Sequence, residues 1–296
     1  MRLRQIEVFH AIYSSGTMTN AAAMLNVSQP SVSKVLAHAE QQLGYPLFER
    51  NKGRLIPTPE AHQLFKHVAE TYQSVDRLRH VASNLRVSGA GRIRVAGTPA
   101  FGIELLPRAI ASYQQHHPET VFDIETLHLD EINNALLESR VDVGLAFDPI
   151  ARPGIEEHTL ASGKFVVIAP PDNKFPDDRP LSIADLAHSP FIGLTNRGPL
   201  GRMLSNLIAT SNTRLNIVAR SETYHVAKAM VAMGAGIAIA DEISARSATG
   251  GAVRILPLKP KLTFDIKTLH LSSTPLSLLA NDFVGHLKTC IDEFLG

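Results

Sequence analysis

Tryptophan is absent from the 296-residue chain, and there is a single cysteine, Cys290. One thiol cannot close an internal disulfide, which points away from a secreted, cross-linked scaffold and toward a reducing compartment. Cys290 reads as a small buried apolar residue of the last helix. Without tryptophan and with only scattered phenylalanines, the chain is poorly equipped to stack along single-stranded nucleic acid. No run approaches the ~18 apolar residues that a membrane span needs. Arg2, Arg4, Glu7 and His10 interrupt any secretory leader. These absences lead us to expect a soluble, cytoplasmic protein with no membrane partner. What is present suffices for a packed core, since 44% of residues are hydrophobic and 19% charged.

Net charge is only +1, but it is unevenly distributed. Residues 1–90 carry ten Lys/Arg against six Asp/Glu, and the remainder nineteen against twenty-two. A small basic module joined to a larger, slightly acidic one suggests a polyanionic partner for the first.

Three short helical patterns open the chain. Leu3, Ile6, Phe9 and Tyr13 recur at helical spacing, which leaves Arg2, Arg4 and Glu7 outward, and Gly16 stops the helix. Thr17 can cap a second helix with a narrow face of Met18, Ala21, Ala22 and Leu25. After only Asn26-Val27-Ser28, a third helix begins with Ser28 as N-cap and Pro30 in its first turn. Its inner face is Val32, Val35, Leu36, Ala39 and Leu43, and it ends at Gly44. Two helices, a tight turn and a third helix form a helix-turn-helix layout. The third helix shows Gln29, Ser31, Ser33, Lys34 and His38 outward. Gln can bond adenine bidentately, Lys can reach guanine acceptors or phosphate, and Ser suits either. Phe48 to Pro57 then reads as a two-stranded wing, with Arg50, Lys52 and Arg54 about its tip placed for backbone phosphates.

Residues 1–61 resemble the winged helix-turn-helix of LysR-type transcriptional regulators. The resemblance rests on Leu3-Arg4-Gln5-Ile6-Glu7-Val8-Phe9, Ala21-Ala22-Ala23-Met24-Leu25, Val27-Ser28-Gln29-Pro30-Ser31-Val32-Ser33-Lys34 and Leu47-Phe48-Glu49-Arg50. Ala61 departs from the glycine usual in the family. The candidate DNA contacts are Arg4, Ser28, Gln29, Pro30, Ser31, Ser33, Lys34, His38, Arg50, Lys52 and Arg54.

Thr58 and Pro59 start a helix able to run to about Leu85, with a heptad seam of Leu64, Val68, Thr71, Val75, Leu78, Ala82 and Leu85. The stripe could bury itself against its own module. Pairing with a second copy fits a reader of symmetric operators better, and the resemblance implies the same, with a tetramer as the usual assembly. Val87-Ser88-Gly89-Ala90-Gly91 reads as a hinge.

From Arg92 onward, short apolar strands alternate with helices, which argues for parallel sheets covered on both faces. We expect strands at 93–95, 121–125, 141–147, 165–169, 191–194, 215–219, 237–240, 253–256 and 264–271, with helices near 102–116, 131–139, 199–210, 223–233 and 275–295. Residues 92–296 resemble the effector domain of the same family, itself built like a periplasmic solute-binding protein. The best-matching stretch is Val231-Ala232-Met233-Gly234-Ala235-Gly236-Ile237-Ala238-Ile239-Ala240.

Ligands of such sheets bind beyond the carboxyl ends of strands. The loops there hold Thr98-Pro99-Ala100, whose amides suit a carboxylate, together with Phe147-Asp148, Thr195-Asn196 and Ser221-Glu222. The resemblance implies effector contacts in these loops, although each could also be ordinary turn chemistry. Asp241 stands where the family usually has proline. With Asp148 and Glu222 it makes three carboxylates near one crevice, so we expect a cationic amino acid or amine-bearing carboxylate as effector.

Three other motifs carry no chemistry. Ser31-Val32-Ser33-Lys34 matches an acyl-enzyme signature but lies on the third helix, away from any pocket. Gly234-Ala235-Gly236 lacks the third glycine of a dinucleotide loop. The thirteen histidines show no metal-ligand spacing.

The expectation is an α+β multidomain chain. It has a winged helix-turn-helix (1–58), a linker helix and hinge (59–91), and a two-lobed α/β effector domain (92–296; lobes 92–162 with 267–296, and 163–266). It should bind double-stranded operator DNA, a small-molecule effector, itself and, if it is an activator, RNA polymerase, with no cofactor, metal or catalytic residue. The rivals are a solute-binding protein or a cleft enzyme, each without DNA function.

Overall fold

A computed structural model describes residues 1–51, 54–84, 91–150 and 152–296, with side chains at 50, 51, 54, 73, 76, 77 and 79–84 left out. The chain divides into two compact units, Met1–Ala82 and Ser83–Gly296.

In the first unit, α1 (Leu3–Ser15), α2 (Met18–Met24) and α3 (Gln29–Leu43) precede an antiparallel hairpin of β1 (Phe48–Asn51) and β2 (Arg54–Pro57), then α4 (Pro59–Asn84). Gly16 and Gly44 end their helices in left-handed conformations, φ +73° and +81°. Thr17 accepts from the Asn20 amide at 3.1 Å, as an N-cap should. Val8, Phe9, Ile12, Ala21, Val32, Leu36 and Leu47 are buried together. Each of these side chains larger than alanine contributes about 1.5–3 kcal/mol.

The expected inner face of α1 needs correction at two positions. Leu3 is 49% exposed and Glu7 is buried, its carboxylate 3.1 Å from the Arg4 guanidinium. Gln5 is also buried, because its amide donates to Gln42 at 2.8 Å and pairs with His38 Nδ1 at 3.0 Å. The start of α4 packs within the unit: Ala61 and Val68 are buried, and Phe65 stacks on Tyr13 at 3.8 Å. Further along, Thr71 is exposed and Leu78 is 70% exposed. The Ala82 side chain, Leu85 and the hinge before Gly91 lie outside the described residues.

The second unit begins with β3 (Gly91–Gly97), a π-helical turn (Phe101–Leu105), α5 (Leu106–Gln114), β4 (Thr120–Thr126), α6 (Leu129–Leu137) and β5 (Val143–Phe147). Next come β6 (Ile155–Ala169), β7 (Leu181–Ser182), a 3-10 turn (Ala184–Leu186), β8 (Pro190–Leu194) and α7 (Gly198–Thr210). It closes with β9 (Asn216–Ser221), α8 (Tyr224–Ala232), β10 (Ala238–Asp241), α9 (Glu242–Arg246), β11 (Arg254–Lys259), β12 (Thr263–Leu271) and α10 (Leu278–Leu295).

The sheets are mixed rather than parallel. β4-β3-β5 and β8-β9 pair parallel, but β12 runs antiparallel to both β5 and β6. β6 is the common spine. Residues 155–164 pair with β12, whereas 165–169 pair with β10 on one side and β11 on the other. One continuous strand therefore serves two half-sheets, and these are the two lobes. Gly236 (φ +150°) turns the chain into β10 so close to the Pro190 carbonyl that no β-carbon fits. Among the described residues, no helix is long and apolar enough to cross a membrane.

Candidate nucleic-acid and effector sites

On the first unit, α3 presents Gln29, Pro30, Ser31, Lys34 and His38 as exposed and Ser33 as half-buried, while Val32, Leu36 and Ala39 hold its other side in the core. Ser28 occupies the N-cap position, but its hydroxyl meets Ser31 Oγ at 2.8 Å instead of capping the helix. Arg4 is exposed yet paired with Glu7, and one nitrogen of His38 is engaged by Gln5. Of the candidate contacts on α3, Gln29 and Lys34 are exposed with no hydrogen-bond partner among the described residues. The backbone of Arg50 and Arg54 forms the hairpin, but their side chains, and Lys52 entirely, lie outside the described residues.

In the second unit a cavity of about 310 Å³ opens between the lobes. Helix starts contribute four parts of its wall: Pro99-Ala100 before the π-helical turn, His128 to Glu131 at α6, Arg197 to Gly201 at α7, and Thr223-Tyr224 at α8. Helix N-termini carry partial positive charge and free amides, so their convergence favours an anion. Phe147, Leu194 and Leu200 supply apolar surface. Arg197 pairs with Glu222 at 3.1 Å on the rim, and Asp130 adds a further carboxylate. The Glu131 carboxylate is already engaged, accepting from the His128 amide at 2.8 Å. Gly201 is required at the mouth: a β-carbon there would lie 2.7 Å from the Thr195 carbonyl.

Three hydroxyl groups in this wall, Thr98 Oγ1, Thr195 Oγ1 and the Tyr224 phenol, are buried with no hydrogen-bond partner among the described residues. Behind Tyr224 lies Asp241, fully buried, whose Oδ1 accepts from the Ser244 amide at 2.8 Å while Oδ2 is unpartnered. Burial pushes the Asp241 carboxyl up to about 6. Burial and the neighbouring Asp241 raise the Tyr224 phenol well above its usual range. One turn along α8, the buried Lys228 donates to the Ser247 carbonyl, and the Ala248 amide donates to Glu104 at 2.6 Å. Glu104 belongs to the other lobe, so this network joins the two.

The structure brings together Thr98, Pro99, Ala100, Phe147, Thr195 and Glu222. It leaves Asp148, Asn196, Ser221 and Asp241 out of the cavity wall. Asp148, at φ +32°, accepts from the Asp265 amide at 3.2 Å, and burial raises its carboxyl. Ser221 is taken up in a turn with Thr223, and Asn196 is exposed. The expected convergence of three carboxylates is therefore corrected, because Asp148 braces β12 and Asp241 caps α9. The expected amide cradle at 98–100 is corrected too. The Thr98 amide donates to the Leu145 carbonyl at 3.2 Å, and Pro99 has no donor.

Residues 3–62 match the family described as bacterial regulatory helix-turn-helix protein, lysR family, and residues 87–290 match the LysR substrate binding domain. The chain belongs to the LysR family. It is accordingly a DNA-binding transcription regulator with an effector-binding domain, and not an enzyme. The HTH-type transcriptional regulator DgcR of Pseudoalteromonas sp. is 41% identical over 292 residues, 98% of this chain and all of that one. The transcriptional activator LysR of Escherichia coli K12 is 29% identical, over 100% of this chain and 95% of its own. Full-length CbnR, solved in complex with its target DNA, shares the fold at a TM-score of 0.68 and 21% identity, covering 98% of this chain and all of that one. Tyr224, His128, Asp130 and Arg197 went unread in the sequence. The signal for Tyr224 was present, since Thr223 is a well-formed N-cap that accepts from the Val226 amide.

Proposed function

We propose that this LysR-type regulator reads a symmetric operator with paired copies of α3 and answers to an amine-bearing carboxylate held between its lobes. The observation that carries the effector reading is the set of three partnerless buried hydroxyls around the cavity. A buried polar group without a partner costs about 1–3 kcal/mol. Such a group is tolerable in a binding site because the ligand completes it. The starts of α6, α7 and α8 in the wall suit the ligand's carboxylate. Asp130 in the wall suits a cationic amine, in place of the three carboxylates expected from sequence, since Glu222 is already paired with Arg197. Calorimetry with arginine, lysine, aspartate and an aromatic acid tests this. Saturable heat from an amino acid supports the reading, whereas heat only from ligands without an amine ends it.

For DNA, Gln29 reads a base edge, and Ser28, Ser31, Ser33, Lys34, Arg4, His38 and the wing cations Arg50, Lys52 and Arg54 hold phosphates or neighbouring edges. The exposed later stretch of the α4 seam, with Leu78 uncovered, supports self-association into a dimer or tetramer. RNA polymerase is the further partner if the output is activation, and the site of action is the cytoplasm. Effector and operator binding are linked only if the ligand favours one quaternary arrangement over another.

A further inference from the structure

Away from the cavity and among the described residues, one group of metal-ligating side chains gathers on the β6–β12 ladder. Glu156 and His158 stand two residues apart on β6 and therefore share a face, and His270 is the direct register partner of Glu156 on β12. One ligating atom from each residue lies within 4.8 Å of the other two. Glu156 Oε1 is 3.3 Å from His158 Nε2, and its Oε2 is 3.7 Å from His270 Nε2. The two imidazoles stack 5.2 Å apart at 14°. His270 is buried, with its Nδ1 unpartnered, while His158 and Glu156 are half exposed.

We propose that Glu156, His158 and His270 form a surface site for one divalent transition-metal ion of the zinc class, with water completing its coordination. Two imidazole nitrogens and one carboxylate oxygen are the donors that zinc takes when a position is left open. Calcium and magnesium need more oxygen than this set offers. A tetrahedral ion at 2.0–2.1 Å separates its donors by about 3.4 Å. Glu156 lies 3.3 Å from His158 through Oε1 and 3.7 Å from His270 through Oε2, so each imidazole already has a carboxylate oxygen near that separation, and one oxygen must turn to serve both. His270 is held in place by burial, so it serves as the fixed donor, and the exposed Glu156 and His158 can swing to meet it. The ion would tie β6 to β12 at the end of the ladder where Ile155 faces Leu271. Sequence spacing could not reveal this set, because its donors meet only through strand pairing.

The site is tested on the untagged full-length protein, stripped with a chelator and titrated with Zn²⁺ by calorimetry and with Co²⁺ by visible absorption. The expected result is one saturable equivalent per chain, with affinity weakened at least fivefold in both His158→Ala and Glu156→Gln. Both positions are exposed, and circular dichroism checks that the variants fold. Absence of saturable binding overturns the proposal. So does a loss smaller than fivefold in either variant, which would place the ion among the other histidines.

Discussion

Replacing Thr195 with valine should stabilise the ligand-free protein while weakening its grip on the effector. The Thr195 hydroxyl is buried and unpartnered, whereas its backbone amide donates to the Ser221 carbonyl at 2.9 Å and is untouched by the change. Valine keeps the shape and the apolar contacts and removes only the desolvated oxygen. Leaving such an oxygen unsatisfied costs about 1–3 kcal/mol, and replacing it with an apolar group of the same shape recovers part of that. Taking a gain of about 1 kcal/mol, the melting temperature of a unit this size should rise by about 2–4 °C. A hydrogen bond to a charged ligand group contributes about 1.5–3 kcal/mol, so effector affinity should fall by about tenfold or more. Without tryptophan, unfolding is best followed by circular dichroism, with calorimetry for the ligand. The sign is decisive, because losing a satisfied hydroxyl destabilises. A lower melting temperature in the free protein, or an effector affinity within twofold of wild type, refutes the reasoning.

Gln29→Ala should cost about 1–3 kcal/mol at the operator and less on random DNA; equal losses by fluorescence anisotropy would remove its reading role. Gly201→Ala places a methyl 2.7 Å from the Thr195 carbonyl, so the first turn of α7 must retreat, at about 1–3 kcal/mol of stability. Urea unfolding checks this, and a neutral result would mean that the turn is slack. Asp241 has its carboxyl raised to about 6 from 3.8, so the folded state holds the proton more tightly than the unfolded state. Its contribution is therefore greatest below pH 4 and is lost as pH rises to 6, by about 2–3 kcal/mol. Asp241→Asn removes that slope, so the variant's stability relative to wild type should climb between pH 4 and 7; a difference independent of pH would contradict the assignment.

Sequence patterns located most of the strands because runs such as Val143–Phe147 and Ala238–Asp241 are buried throughout, leaving no polar alternation to confuse them. The first half of β6 was missed because Glu156, Glu157 and His158 interrupt its apolar character, while β12 and not hydrophobicity dictates its pairing. α9 has only five residues, too few to show a period. In the second unit, the strand-end rule pointed to loops that contribute to the cavity wall, but it could not say which side chain in each turns inward. Thr195 lines the wall and the adjacent Asn196 does not. Asp241 had the chemistry of a ligand residue and the geometry of a helix cap, a distinction carried by a single hydrogen bond to Ser244.

The same cavity sets the scale of any switch. Moving a two-state equilibrium from 1:99 to 99:1 requires about 5.5 kcal/mol of differential ligand affinity. Three hydroxyls, each making a bond of about 1.5–3 kcal/mol to a charged effector, offer about 5–9 kcal/mol if one arrangement aligns them and the other does not. Thr98 belongs to one lobe, and Thr195 and Tyr224 to the other, so their alignment depends on how the lobes meet. A ligand reaching only Thr195 and Tyr224 would bind open and closed forms nearly alike and shift neither. On this reasoning Thr98→Val should spare more of the effector's affinity than of its regulatory effect, and Thr195→Val should diminish both in step. The comparison needs only titration of effector and of operator DNA for the two variants, and parallel losses in both would show that the lobes do not move against each other.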